Sequence, residues 1–217
     1  MPGMATFADI NGDGKVNSDD MTVIGNTMPK HTGGFNFNGR WKGLDFALNF
    51  TYQLGGDVYN ANAMHSMMGD KDTGAGNNRL SHIKDCWQMY KVGASGDLEV
   101  VTDPSELKAM NAGAKHAMPF SEYGITSSEF IEKATYLRLQ TLTVGYTLPK
   151  DLTQNAKISK LRFYFTGGNL FCINDYSGLD PEVNTAPGGS DGFPTPAYDY
   201  NSYPKARTFT FGMNLSF

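Results

Sequence analysis

Residues 9–20 hold the spacing in this chain best suited to chemistry. In Asp9-Ile10-Asn11-Gly12-Asp13-Gly14-Lys15-Val16-Asn17-Ser18-Asp19-Asp20, oxygen-bearing side chains recur at alternate positions. Counted from Asp9, the side chains of Asp9, Asn11, Asp13, Asn17 and Asp20 take positions 1, 3, 5, 9 and 12 of a calcium loop. The Lys15 carbonyl takes position 7 and Gly14 the turn position 6. Hard oxygen donors at this spacing wrap a single Ca2+, which would brace the loop structurally. Position 12 is Asp rather than a bidentate Glu, and residues 1–8 lack a helical pattern. The metal-free alternative is a loop closed by Asx turns.

Other chemistry is not indicated. Met64-His65-Ser66-Met67-Met68 has soft donors, but it has no second cluster, so packing or a partner-contact surface is expected. His31, His82 and His116 are scattered. No nucleophile elbow, zinc-protease motif, phosphate loop or CxxC pair occurs, so an enzyme is not expected. Cys86 and Cys172 fit no metal spacing; they are two unpaired thiols packed in place or a disulfide. With 18 basic and 22 acidic residues the charge is nearly balanced, and neither nucleic acid nor an anionic membrane surface is expected as a partner.

The elements that would position such a loop read as long strands. In residues 206–217, Phe209, Phe211, Met213, Leu215 and Phe217 alternate with Thr208, Thr210, Gly212, Asn214 and Ser216. Alternation at period two gives one oily and one wettable face. Residues 33–55 form a hairpin about Lys42-Gly43, and its second arm alternates from Leu44 to Leu54, eleven residues. That length suits a tilted strand crossing a bilayer, which needs about 9–11 residues, better than a sandwich strand of about 5–6. Residues 134–172 read as another hairpin, with a bulge expected near Gln140 because Leu137 and Leu139 fall out of phase with Leu142, Val144 and Tyr146. Residues 56–133 and 173–205 read as long loops. The first should hold a short helix capped by Asp103, with Pro104 at its first position, Glu106 as capping-box partner and Gly113 as its stop.

With the final strand descending to the periplasm, residues 1–32, 56–133 and 173–205 fall outside the cell and the short turns inside. This is the layout of outer-membrane barrels, and it puts Trp41, Tyr146 and Phe217 at the inner boundary as an aromatic girdle. The fold class is therefore all-β: an antiparallel transmembrane β-barrel segment of about five strands with long extracellular loops, in contact with outer-membrane lipid. Five strands cannot close a barrel, so the chain should be a fragment. Met1-Pro2-Gly3 leads straight into polar sequence, so the natural N-terminus is expected elsewhere. The rival reading is a secreted calcium-binding β-sandwich or dockerin-like module, although a dockerin normally needs a second calcium loop and none is present.

Several blocks together resemble the C-terminal portion of SusC/RagA-type TonB-dependent transporters of Bacteroidetes. They are Phe7 to Val16, Trp41 to Asp45, Tyr136 to Pro149, Gly168-Asn169-Leu170-Phe171, Gly178 to Val183 and Tyr203 to Phe217. The resemblance implies a location in the cell outer membrane and a large plugged barrel of which these are the last strands. It implies a SusD-like surface lipoprotein as lid and import of an oligosaccharide or peptide. Energy would come from the TonB complex through the absent N-terminal part. The closing Phe217 would serve as the barrel-assembly signal.

Overall fold

The period-two pattern becomes strands wherever it is sustained. The structure, a computed structural model, describes residues 3–67, 80–118, 126–183, 196–200 and 202–217. Its strands are β1 (His31–Trp41), β2 (Leu44–Leu54), β3 (Asp57–Asn60), β4 (Tyr90–Val92), β5 (Leu98–Val100), β6 (Ile131–Lys133), β7 (Tyr136–Thr147), β8 (Lys160–Asn174), β9 (Tyr198–Asp199) and β10 (Thr208–Ser216). Its α-helices are α1 (Ala61–Met67), α2 (Pro104–Met110) and α3 (Lys150–Thr153). The chain divides into two units, Met1–Ile24 with Asn60–Phe130 and Gly25–Tyr59 with Ile131–Phe217.

In the second unit, β1, β2, β7, β8 and β10 form one antiparallel sheet in that order, an open meander. Lys42 and Gly43 both have positive φ, 44° and 87°, as a two-residue hairpin turn between twisted strands requires. A Cβ on Gly43 would also lie 2.7 Å from the Thr147 carbonyl oxygen, so β7 can approach the turn only because a glycine is there. The expected bulge is present: Asn49 faces Thr141 while Phe50 faces Leu139, and Gln140 is skipped. The extra residue moves Leu137 and Leu139 onto the face shared by Leu142, Val144 and Tyr146.

Register then sorts the sheet into two faces. Phe37, Leu48, Leu142 and Gly167 lie in one row across four strands, and Phe46, Val144, Phe165 and Phe211 in the next. Cross-strand rings touch within this face: Phe35 and Phe50 stack at 4.8 Å, and Phe165 and Phe211 meet at 5.0 Å. The face is not the interior of a sandwich. Phe37, Trp41, Phe209 and Phe211 are 61, 68, 62 and 79 % exposed. The β-sandwich alternative required these residues in a closed two-sheet core, and it fails here. Eleven residues of β2, at roughly 3.4 Å each and tilted by about 45°, rise about 26 Å, matching the ~25 Å apolar band of a barrel wall.

At the end of the sheet opposite the Lys42-Gly43 turn, β6, β3 and β9 form a second small sheet. Val58, Ala134, Tyr176 and Val183 pack there as a buried cluster.

The first unit holds α1, α2 and the β4–β5 hairpin. Asp103 caps α2 by accepting the Glu106 N–H at 2.8 Å, with Pro104 at the first turn as expected. Two details differ. The Glu106 carboxylate pairs with Lys91 Nζ at 2.6 Å instead of completing a capping box, and Asn111 rather than Gly113 ends the helix. The segment also holds a further helix, α1, which the Met-rich sequence concealed. Its Met64 and Met67 are buried, so that motif packs, while Met68 lies outside the described residues.

Charge tests the assignment of faces. In the full-length, membrane-inserted protein, Leu48→Arg should lower stability by about 2–4 kcal/mol, and Asn49→Arg on the opposite face by little. Denaturant titration of the heat-modifiable band measures both, and equal losses would contradict the two-faced wall.

Candidate functional site

The polar face of the sheet carries most of the organised chemistry. Asn49, Thr51, Gln53, Thr141 and Thr143, expected to line a lumen, do share it by register. Thr143 and Thr166 hydroxyls meet across β7 and β8 at 3.0 Å. Near the turn end, Arg162 on β8 reaches over β7 to Asp45 on β2. Its Nε and terminal nitrogen donate to the two carboxylate oxygens at 2.9 and 2.5 Å, a two-pronged pair. The guanidinium crosses β7 at Gly145, where a Cβ would stand 2.2 Å from it. Arg162 also lies over the Tyr164 ring at 5.1 Å.

At the loop end the same face is covered by residues 175–183. Arg138 on β7 is buried and donates to Asp180 at 2.6 Å, while Glu182 stands 3.7 Å from its Nε as an ion pair without a hydrogen bond. The guanidinium also faces the Tyr136 ring at 5.5 Å. Two further contacts hold this loop. Tyr176 donates its hydroxyl to buried Asp199 at 2.6 Å, and desolvation pushes that phenol's pKa far up. Glu132 accepts from both the backbone N–H and the hydroxyl of Ser177 at 2.7 Å. On the neighbouring strand, Lys133 at 2.7 Å and the Asn26 N–H hold the Asp57 carboxyl below its usual range. Sequence reasoning missed all of these pairs.

Residues 9–20 form a loop knitted by its own oxygens. Asp9 accepts the Gly12 and Gly14 N–H groups at 2.7 and 2.8 Å, Asn11 that of Asp13 at 2.8 Å, and Asp13 that of Lys15 at 2.7 Å. Asn17 and Asp20 form a reciprocal capping box about Ser18–Asp20. Asp20 turns inward, and backbone donors, chiefly Asn17, lower its pKa. An oxygen that accepts one N–H keeps a second lone pair, so these turns leave the donor set compatible with a hard cation. The Lys15 side chain is exposed, and only its carbonyl belongs to the set. Among the described residues no three of His, Cys, Asp or Glu converge as a metal centre.

Cys86 and Cys172 are both free thiols. Burial pushes the Cys86 thiol up, and its Sγ lies 3.5 Å from the Met67 sulfur, a packing role. Phe217 follows β10 and is exposed.

An open antiparallel sheet of strands 9–15 residues long, oily on one face and polar on the other, is a segment of transmembrane β-barrel wall. No protein-family model matches the chain. Over all 217 residues it is 30 % identical to TonB-dependent receptor P3 of Formosa agariphila, covering 19 % of that protein. Over 212 residues it is 26 % identical to the TonB-dependent receptor SusC of Bacteroides thetaiotaomicron, with 97 % of the chain and 17 % of that receptor aligned. The fold matches the RagAB peptide transporter with a TM-score of 0.61 at 24 % identity, over 88 % of this chain and 17 % of that one. It matches the RagAB peptide importer in its closed-closed state at 0.63 and 22 % identity, over 94 % and 20 %. The chain thus spans about a fifth of the length of these relatives. Whole-chain similarity in sequence and fold supports a C-terminal fragment of a SusC-type TonB-dependent transporter.

The Arg138–Asp180 pair gives a direct test of the loop. Asp180→Ala leaves a buried guanidinium without its short partner and should cost about 3–5 kcal/mol locally. Limited proteolysis of the inserted receptor should then cut within 175–183 while the strands stay protected. Unchanged protection would mean the pair does not hold the loop.

Proposed function

We infer that this chain is the closing part of an outer-membrane active transporter that imports glycans or peptides. Its uncovered apolar face, continuous across five strands of bilayer-spanning length, carries this reading. In this account the Lys42-Gly43 turn and residues 148–159 face the periplasm, and the loops between β2 and β7 and between β8 and β10 face outward. A SusD-like lipoprotein closes over those loops, and the TonB complex drives import through the part of the receptor not contained in this chain. The RagAB and SusC relatives support both the partner and the transport role. The chain itself performs no covalent chemistry; its polar face lines the path and its loops meet substrate and lid. In a receptor ending at Phe217, that exposed ring serves as the assembly signal.

Deleting the receptor gene in its source organism should abolish growth on one polymeric glycan or on peptides, and an affinity-tagged receptor should retain a SusD-like lipoprotein. Wild-type growth on every polymer tested, with no lipoprotein retained, would contradict the reading.

The loop at 9–20 is proposed to bind Ca2+ through Asp9, Asn11, Asp13, the Lys15 carbonyl, Asn17 and Asp20. The ion would neutralise the carboxylates and stiffen the segment before β1. Outside the cell an affinity of only about 10⁻⁴–10⁻³ M would fill such a site. Calorimetry on the full-length receptor should detect Ca2+ binding that disappears when Asp9, Asp13 and Asp20 are all changed to Ala. Undiminished uptake by that variant would dismiss the site.

A further inference from the structure

Charge is spread unevenly along the chain, and the turn end of the strands holds a basic excess. Residues 40–45 and 148–162, at the turn end of the strands, hold six basic and two acidic residues, a balance of +4. The remaining twelve basic and twenty acidic residues sum to −8, which recovers the chain's −4. Arg162 answers Asp45 on the polar face. What is left at this end is Arg40, Lys42, Lys150, Lys157 and Lys160 against Asp151; Arg40 stands opposite Asp45 in the β1–β2 register, and Lys160, two residues before Arg162 in β8, shares its polar face. Lys42, Lys150 and Lys157 are exposed, and none lies within ion-pair distance of a carboxylate among the described residues. Large apolar groups are open at the same end, Trp41 and, in the α3 turn, Leu152 (70 %). Lys42 Nζ sits 5.0 Å above the Trp41 ring, a cation and an aromatic joined at one level.

We propose that the turn end of the wall binds the phosphate headgroups of anionic phospholipid. Lys42, Lys150 and Lys157 are the cationic contacts, and Trp41 and Leu152 seat at the acyl boundary. The chemistry is direct: long lysine stems lie along the hydrocarbon edge and lift the ammonium to the phosphate plane, while an amphipathic indole marks that plane. Outside these two segments the second unit holds five basic and seven acidic residues, so the rest of it offers the headgroups no such match. The proposal rests on the orientation given above, with this end toward the periplasm.

The full-length receptor containing this chain, purified in neutral detergent, is exposed to phosphatidylglycerol or phosphatidylcholine. Native mass spectrometry then counts the lipids retained at low and high salt. Each lysine lost should weaken binding roughly fivefold at low salt. The variant K42Q/K150Q/K157Q should therefore hold phosphatidylglycerol roughly a hundredfold more weakly. The loop variant K84Q/K108Q and the all-arginine version of the three sites should match wild type. Should the glutamine variant fail to insert, the single changes K42Q and K157Q and the salt dependence of wild type decide. Equal retention of the two lipids by wild type, or equal phosphatidylglycerol retention with and without the lysines, overturns the proposal. A receptor that forms no heat-modifiable barrel in any lipid would instead contradict the outer-membrane reading itself.

Discussion

Inside a bilayer a backbone N–H or C=O has no water to bond, and leaving one unpaired costs several kcal/mol. Every strand crossing the hydrocarbon must therefore have a neighbour on each side, and the sheet must close. This constraint governs the chain. β2, β7 and β8 are paired along both edges, whereas β1 and β10 each have one edge without a partner strand in the sheet. Those edges define where the rest of a larger wall attaches, in keeping with a chain that spans about a fifth of its relatives. The same constraint accounts for the bulge at Gln140. Without the bulge, Gln140 would take a place in the alternation, and Leu137 and Leu139 would face opposite to Leu142 and Val144, on the polar side.

Once one face belongs to lipid, charge can be stored only on the other or beyond the ends. Asp45 and Arg162 lie on the polar face and answer each other across three strands, with Gly145 clearing the way. Arg138 and Asp180 do the same at the loop end, where the buried Tyr176–Asp199 contact also anchors the chain. A buried ion pair contributes little net stability, because desolvation offsets the attraction, but losing one partner is costly. These pairs therefore act mainly to fix where the 175–183 segment sits against the wall.

The sequence carries the strands openly, because their signal is local. Period-two alternation over eleven residues marks β2, and the phase slip in β7 locates its bulge before any coordinates are seen. The Asp103-Pro104 start of α2 is legible for the same reason. Short elements are not: β3, β6 and β9, two to four residues each, owe their existence to pairing across more than seventy positions of chain. The polar pairs leave no local trace either, since Asp45 and Arg162 are 117 residues apart and Arg138 and Asp180 are 42. Gly145 is visible in the sequence, but its purpose becomes visible only with Arg162 above it. In residues 9–20 the oxygen spacing is plain, whereas the reciprocal contact of Asn17 and Asp20 that closes the loop has the same residues serving as a helix cap.

The central claim is that one face of this sheet meets lipid and the other does not. Spin labels placed singly at positions 44 to 54 of β2, in the full-length receptor reconstituted into bilayers, measure it directly through collision with oxygen and with a water-soluble nickel chelate. The account predicts alternation: high oxygen access at Leu44, Phe46, Leu48, Phe50, Tyr52 and Leu54, and low access at the residues between them. Oxygen access that is uniform along β2, or nickel access that is high at Phe46, Leu48 and Phe50, would contradict it.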